Sequence, residues 1–201
     1  MAMNKLETLV RADWFYWSAK QLAYQFGRIF YDLEVFGFEK IPKKGGVVIA
    51  SNHISTWDPP FLAGPIPREI HFMAKKELFE NPWSRLLMLG LRAFPVNRDE
   101  IDVGAIKSAL RRLNDGLAIG IFAQGTRNTG DAQPFDGAAF LATRASVPLQ
   151  PAAIWRLGRK YRVSFGDPIH TTADDRKNLT RVTRELMRRV DLLLPEKPSG
   201  R

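Results

Sequence analysis

The sequence predicts an α/β fold: a mixed, mainly parallel sheet flanked by helices and preceded by an amphipathic helical segment. Three observations carry that expectation. Short apolar runs rich in β-branched residues alternate along the chain with stretches of helical periodicity. Near the end, Leu179, Val182, Leu186, Val190 and Leu193 recur at three- and four-residue steps, the spacing of one buried helix face. The N-terminal stretch is dense in aromatic residues but broken by charge.

Residues 1–34 hold Trp14-Phe15-Tyr16-Trp17 and then Leu22, Tyr24, Phe26, Ile29, Phe30 and Tyr31. Arg11, Asp13, Lys20, Arg28 and Asp32 interrupt them. No uncharged run of about 20 residues is left to span a bilayer, and no signal-peptide pattern is present. Amphipathic aromatic helices with cationic ends lie in the membrane interface, where Trp and Tyr favour the headgroup level. Residues 1–34 are therefore read as a membrane-association segment; helices packing those aromatics on the core or on another subunit are the alternative. Strands are expected at 47–50, 69–73, 118–122, 149–154 and 161–165. Helices are expected from Pro59, over 81–91, 102–114 and 136–145, and over 173–194. Residues 35–194 form one domain, and 195–201, rich in Pro, Gly and charge, form a flexible tail.

Composition narrows the chemistry. The chain has 201 residues, a size one core can serve. It contains no cysteine, which removes disulfides, thiolate metal sites and a cysteine nucleophile. Its three histidines, His53, His71 and His170, are far apart and show no metal-ligand spacing, so neither metal nor cofactor is expected. The net charge of +9 would draw the protein to an anionic membrane surface and to phosphate-bearing substrates. Nucleic acid is the competing partner of any basic protein, but the arginines are spread over helices and motif ends without a nucleic-acid module, so none is expected.

One segment carries the chemistry: Asn52-His53-Ile54-Ser55-Thr56-Trp57-Asp58. A histidine and an aspartate at this spacing cannot face each other on a helix, where five steps turn the chain by about 500°. They meet only if His53 ends a strand and the chain bends before Asp58. The run at 47–50 supplies the strand, and Pro59 suits the first turn of a helix with Asp58 as its N-cap. Strand, histidine, turn, aspartate and helix lay out a general base with its orienting carboxylate. The plainer reading makes Asp58 only a cap and His53 a polar loop residue. Ser55 is not read as a nucleophile, because no nucleophile-elbow pattern surrounds it.

Three further segments join the first: Phe94-Pro95-Val96-Asn97-Arg98, Ile121-Phe122-Ala123-Gln124-Gly125-Thr126-Arg127, and the proline-marked apolar strand Val147-Pro148-Leu149-Gln150-Pro151-Ala152-Ala153-Ile154. In order and spacing the four resemble the sequence blocks of the glycerolipid acyltransferases, the 1-acylglycerol-3-phosphate (lysophosphatidate) acyltransferases. The resemblance covers residues 35–170, and the first block matches the family's Asn-His-x-x-x-x-Asp pattern in full. Phe72-Met73-Ala74-Lys75-Lys76-Glu77-Leu78-Phe79 also resembles the family's segment between its first two blocks. The resemblance implies acyl transfer from an acyl-carrier-protein or coenzyme A thioester to a lysophospholipid hydroxyl, forming phosphatidic acid, by a peripheral or monotopic protein at the cytoplasmic face of a membrane. It implies His53 and Asp58 as the catalytic pair. Arg98 and Arg127 become phosphate-binding candidates, since guanidinium forks match phosphate oxygens. Gly125 would let the backbone approach the ligand and Thr126 would add a hydroxyl. The backbone near Lys75 is a candidate for oxyanion contact. Two residues depart from the pattern. Gln124 stands where the family usually has glutamate, and Asp136 where it often has a basic residue. Both leave open another lysolipid acceptor, or a lipid-binding protein on this scaffold with impaired catalysis; Gln124 stays a candidate acceptor contact.

Overall fold

The computed structural model describes residues 2–97, 101–123 and 135–195. Its strands are β1 Glu34–Phe36, β2 Val47–Asn52, β3 Ile70–Lys75, β4 Phe94–Val96, β5 Ala118–Ala123, β6 Leu149–Leu157 and β7 Lys160–Phe165. They form one sheet in the order β1-β7-β6-β2-β5-β3-β4. From β6 to β4 the strands run parallel, whereas β7 returns antiparallel beside β6 and β1 pairs parallel with β7. The sheet is thus mixed and mainly parallel, as the alternating sequence predicts. The two strands the sequence did not announce, β1 and β4, have three residues each, too few for any period to show. Both lie at edges of the sheet, where Pro95 of β4 costs little ladder bonding.

The helices are α1 Ala2–Val10, α2 Asp13–Phe30, α3 Asp58–Ala63, α4 Pro82–Gly90, α5 Val103–Asn114, α6 Asp136–Ala145 and α7 Leu179–Leu193. Local chemistry starts two of them. Asn81 accepts the Trp83 and Ser84 N–H groups with Pro82 in the first turn, and Asp102 accepts Ala105 N–H at 2.8 Å. The expected helix over 173–194 divides: Ala173–Asn178 is a 3₁₀ turn, and α7 begins beyond it, capped by Asn178. Successive residues of β2 face opposite layers. Val47 and Ile49 join Phe61, Leu62, Ile70 and Phe72 in a core beneath α2 and α3. Val48 and Ala50 join Ala109, Leu113, Ala142 and Leu186 beneath α5, α6 and α7.

The N-terminal aromatics divide into two sets. Tyr16 is buried and its hydroxyl accepts the Ile70 N–H at 3.0 Å; Tyr24 lies against Gly64 and Phe15 against Gly90, where no Cβ keeps them off. Trp14, Leu22, Ile29 and Phe30 instead face outward, as do Trp83 and Leu87 of α4. Lys20, one of the charges that break the N-terminal apolar run, is buried. Its ammonium donates to the Ile66 and Arg68 carbonyls, and desolvation pulls its pKa down to about 8. Among the described residues no helix is long and apolar enough to cross a membrane.

His71 on β3 gives the fold an acid limit. Burial first, then the Arg112 and Arg92 guanidiniums, hold its pKa at about 4 rather than the ordinary 6.5. Arg112 Nε approaches His71 Nδ1 at 3.4 Å, and the Glu69 carboxylate stands 3.7 Å from Nε2. Between pH 6.5 and about 4 the unfolded chain binds a proton that the folded chain refuses. Stability contributed by the neutral ring is therefore full above the ordinary value and falls as pH drops through that window. His71→Gln, which keeps an acceptor for Arg112, should lose less of its urea midpoint than the parent between about pH 7.5 and 5. Equal losses in the two proteins would show that His71 does not set the limit.

Candidate active site

β2 ends between β5 and β6, and the chain leaves it at the carboxyl rim of the parallel strands, where open α/β sheets place their ligands. Asn52, the last residue of β2, closes the seam to β6. Its Nδ2 donates to the Ile154 carbonyl at 2.6 Å and its Oδ1 accepts the Ile154 N–H at 2.7 Å. The β2–β6 register ends at Ser51 opposite Ala152, so the side chain continues the pairing after the ladder stops. The next residue is His53, whose starting point is thereby fixed.

His53 and Asp58 meet as the spacing predicts. His53 Nδ1 lies 2.5 Å from Asp58 Oδ2, and the same oxygen accepts the Ile54 and Ser55 N–H groups at 2.7 and 2.9 Å. Asp58 is wholly buried, while the His53 side chain keeps 30% of its exposure. The Nδ1 edge is occupied by the carboxylate, so Nε2 is the working nitrogen of the imidazole. The ring stacks on Phe122 of β5 at 4.7 Å, and Phe122 stacks on Phe72 of β3 at 5.6 Å. Phe72 can lie there because Gly120 has no Cβ; one built at that position would come within 2.2 Å of the Phe72 ring.

The expected N-cap role of Asp58 needs correction. Asp58 is the first residue of α3, its N-cap position is Trp57, and the carboxylate turns back onto the loop. The reason is in the sequence. Pro59 and Pro60 have no N–H to offer, and the next, that of Phe61, is taken by the Trp57 carbonyl at 3.1 Å, which leaves the carboxylate to the loop. Ser55 Oγ accepts the Trp57 N–H at 3.2 Å, a turn-stabilising bond.

A residue not singled out from the sequence completes the site. Tyr161 of β7, 1% exposed, donates its hydroxyl to Asp58 Oδ1. Burial, and next the bond to Asp58, push its phenol pKa well up, so it stays a protonated donor. Its only sequence signal was its place in an alternating strand, which reads as a core position.

The phosphate-binding candidates Arg98, Gly125, Thr126 and Arg127, with Gln124, lie outside the described residues. Their strands are described. β4 ends at Val96 and β5 at Ala123, and both run parallel to β2, so both blocks leave the sheet at the rim that carries His53. Lys75 ends β3 on that rim and is exposed. Asp136 opens α6, and one carboxylate oxygen accepts the Thr183 hydroxyl of α7 at 2.8 Å, which ties its charge to the helix pair. An apolar groove of about 620 Å³ starts at Phe122 and runs past Met73, Val96, Ile106, Phe140 and Leu179. Among the described residues no group of three His, Asp or Glu is placed to hold a metal ion.

A family model described as acyltransferase matches residues 32–155. The chain is 35% identical over 148 residues to the 1-acyl-sn-glycerol-3-phosphate acyltransferase of Bacillus subtilis, covering 69% of this chain and 74% of that protein. It is 31% identical over 125 residues to the protein of the same name from Borreliella burgdorferi, covering 60% of this chain. The match spans 50% of that relative's length, about half. In fold it resembles the crystal structure of the 1-acyl-sn-glycerophosphate acyltransferase from Thermotoga maritima, with TM-score 0.60, 24% identity and coverage of 87% and 79% of the two chains.

Proposed function

We propose, from the premise that this chain belongs to the acyltransferase family, that it transfers an acyl chain from an acyl thioester to the sn-2 hydroxyl of 1-acyl-sn-glycerol 3-phosphate at a membrane surface. The observation that carries the reading is the His53 imidazole, anchored through Nδ1 by a buried carboxylate and reachable at the rim of the sheet. His53 Nε2 takes the proton of the acceptor hydroxyl as that oxygen forms its bond to the thioester carbonyl carbon. The tetrahedral intermediate then collapses, the C–S bond breaks, and the departing thiolate takes the proton back from the imidazolium. The acceptor hydroxyl stands where a serine protease has its serine, so no acyl-enzyme forms. Asp58 stabilises the imidazolium between the two steps.

Arg98 and Arg127 bind the acceptor phosphate, with Gly125 and Thr126 supplying backbone approach and a hydroxyl. The groove that starts at Phe122 has the apolar lining an acyl chain needs. The donor is an acyl-carrier-protein or coenzyme A thioester. The test is an acceptor panel in vesicles with both donors. Lysophosphatidate should be the preferred acceptor, and a preference for a lysolipid without a free phosphate monoester would overturn the substrate.

Association with the membrane surface, as a peripheral or monotopic protein, is supported by the outward-facing Trp14 (58% exposed) and Trp83 (71% exposed) on a chain of net charge +9. Deleting α2 would also remove Tyr16 and Gly27 from the core, so substitution is the cleaner probe. Trp14, Trp83 and Leu87 replaced together by serine should leave the fold intact and weaken co-sedimentation with anionic vesicles, with added salt weakening it further. Unchanged co-sedimentation of the triple variant would remove this face from the membrane contact.

A further inference from the structure

We infer that Tyr161 is a positioning residue of the reaction, setting through its hydrogen bond to Asp58 how strongly the carboxylate holds and charges His53. The inference rests on His53 acting as the base. Asp58 carries a fully buried charge whose one ion-pair partner among the described residues is His53. Hydrogen bonds must do the rest of the compensation. Oδ2 is occupied by His53, Ile54 and Ser55, all from its own loop, and Oδ1 by Tyr161, from a strand more than 100 residues away. Tyr161 is thus the bond that ties the carboxylate to the sheet.

The ring around that hydroxyl is held on several sides. Phe61 of α3 meets Tyr161 edge-on at 5.1 Å, Tyr31 meets it edge-on at 6.3 Å, and the Tyr161 N–H donates to the Tyr31 carbonyl at 3.0 Å. The charged neighbours are Asp58 on α3 and Arg156 on β6, whose guanidinium lies 5.3 Å above the Tyr31 ring. A phenylalanine would fill the same cage. The hydroxyl is what distinguishes this position from core, and its partners are the carboxylate behind the base and the Ser55 side chain of the same loop.

The expected direction follows from charge. A carboxylate that shares its negative charge with a tyrosine O–H attracts an imidazolium less. Tyr161→Phe removes that share, so His53 should hold its proton more tightly, and the acid limb of the rate profile should move to higher pH. The loop carboxylate also loses its tie to the sheet, so turnover should fall while acceptor binding stays.

The experiment uses the full chain with anionic vesicles. The His53 imidazole is titrated by NMR in the parent and in Tyr161→Phe, with His53→Gln to assign its resonance among the three histidines. The pH–rate profile of acyl transfer is measured in parallel. The His53 pKa and the acid limb should both rise by about 0.5 to 1 unit. The kcat should fall by about threefold to tenfold with KM little changed. A merely structural tyrosine would cost stability and leave the titration and the limb where they were, and that result overturns the inference. If Tyr161→Phe does not fold, fluorotyrosine placed at 161, with its fluorine beside the hydroxyl, keeps the shape and strengthens the donor. His53 should then titrate lower, and an unmoved titration overturns the inference. An active His53→Gln would overturn the base and with it Tyr161's part in the reaction. An inactive His53→Gln beside an unmoved Tyr161→Phe titration overturns Tyr161 alone.

Discussion

His53→Ala should lower kcat by at least about 10²-fold with the protein folded, and Asp58→Asn should do the same. The two losses arise differently. Alanine removes the one group at the rim that, among the described residues, is both exposed and anchored to take the acceptor's proton. Asparagine keeps the shape of Asp58, but His53 Nδ1 and the Ile54 and Ser55 N–H groups all meet the one oxygen Oδ2, so carbonyl and NH₂ cannot both serve that place. Its NH₂ must then face either His53 or Tyr161, where the carboxylate had accepted from both. Facing His53, it donates to Nδ1 and forces the imidazole proton onto Nε2, the nitrogen that has to be free to act as base. The fall belongs in kcat, because proton transfer is made in the transition state and neither residue is assigned to the acceptor phosphate. Single-turnover rates in vesicles with a thioester donor measure it. Near-parental kcat in both variants would remove His53 and Asp58 from the chemistry.

Much of this site was legible because it is local. His53 and Asp58 lie within one strand-turn-helix segment, and the spacing alone excluded a shared helix face. The central parallel strands β2 and β5 were legible for a related reason: buried on both faces, they read as unbroken apolar runs. What escaped is long-range or lacks a distinguishing signal. Tyr161, Val163 and Phe165 alternate into the core, and nothing in that pattern marks the tyrosine hydroxyl as meeting a carboxylate from another block. The capping reading of Asp58 failed partly for a reason that was in view, since two successive prolines take two N–H groups from the helix start, while the Phe61 N–H goes to the Trp57 carbonyl. The N-terminal aromatics could not be divided by sequence either. Whether a tryptophan faces outward depends on where Gly64 and Gly90 lie in space, and those glycines belong to other elements.

Asn52 is the motif residue whose part the spacing did not reveal, and Asn52→Leu should be among the most costly single changes outside the dyad. The side chain satisfies both backbone groups of Ile154, a residue with no exposure, just beyond the point where β2 and β6 stop pairing. Leucine has the same branched outline, is larger and has no polar atom, so the Ile154 N–H and carbonyl would be left buried without partners. Unmet groups of this kind cost about 1–3 kcal/mol each, so a loss of about 2–4 kcal/mol is expected in urea unfolding. The chemistry should suffer too, because the next residue is the base. With the end of β2 unclamped, His53 no longer starts from a fixed backbone, and a small misplacement against the acceptor hydroxyl is enough to slow the step. The kcat should fall by about tenfold or more at a temperature where the variant is fully folded. Asn52→Asp separates the two effects. It can still accept the Ile154 N–H but cannot donate to the carbonyl, and it adds negative charge near Asp58 and His53. It should lose less stability than leucine and shift the acid limb of the rate profile upward, since a second anion favours the imidazolium. Parental stability in Asn52→Leu would mean that the seam closes without the amide, and the clamp would then explain neither the fold at this rim nor the placement of the base.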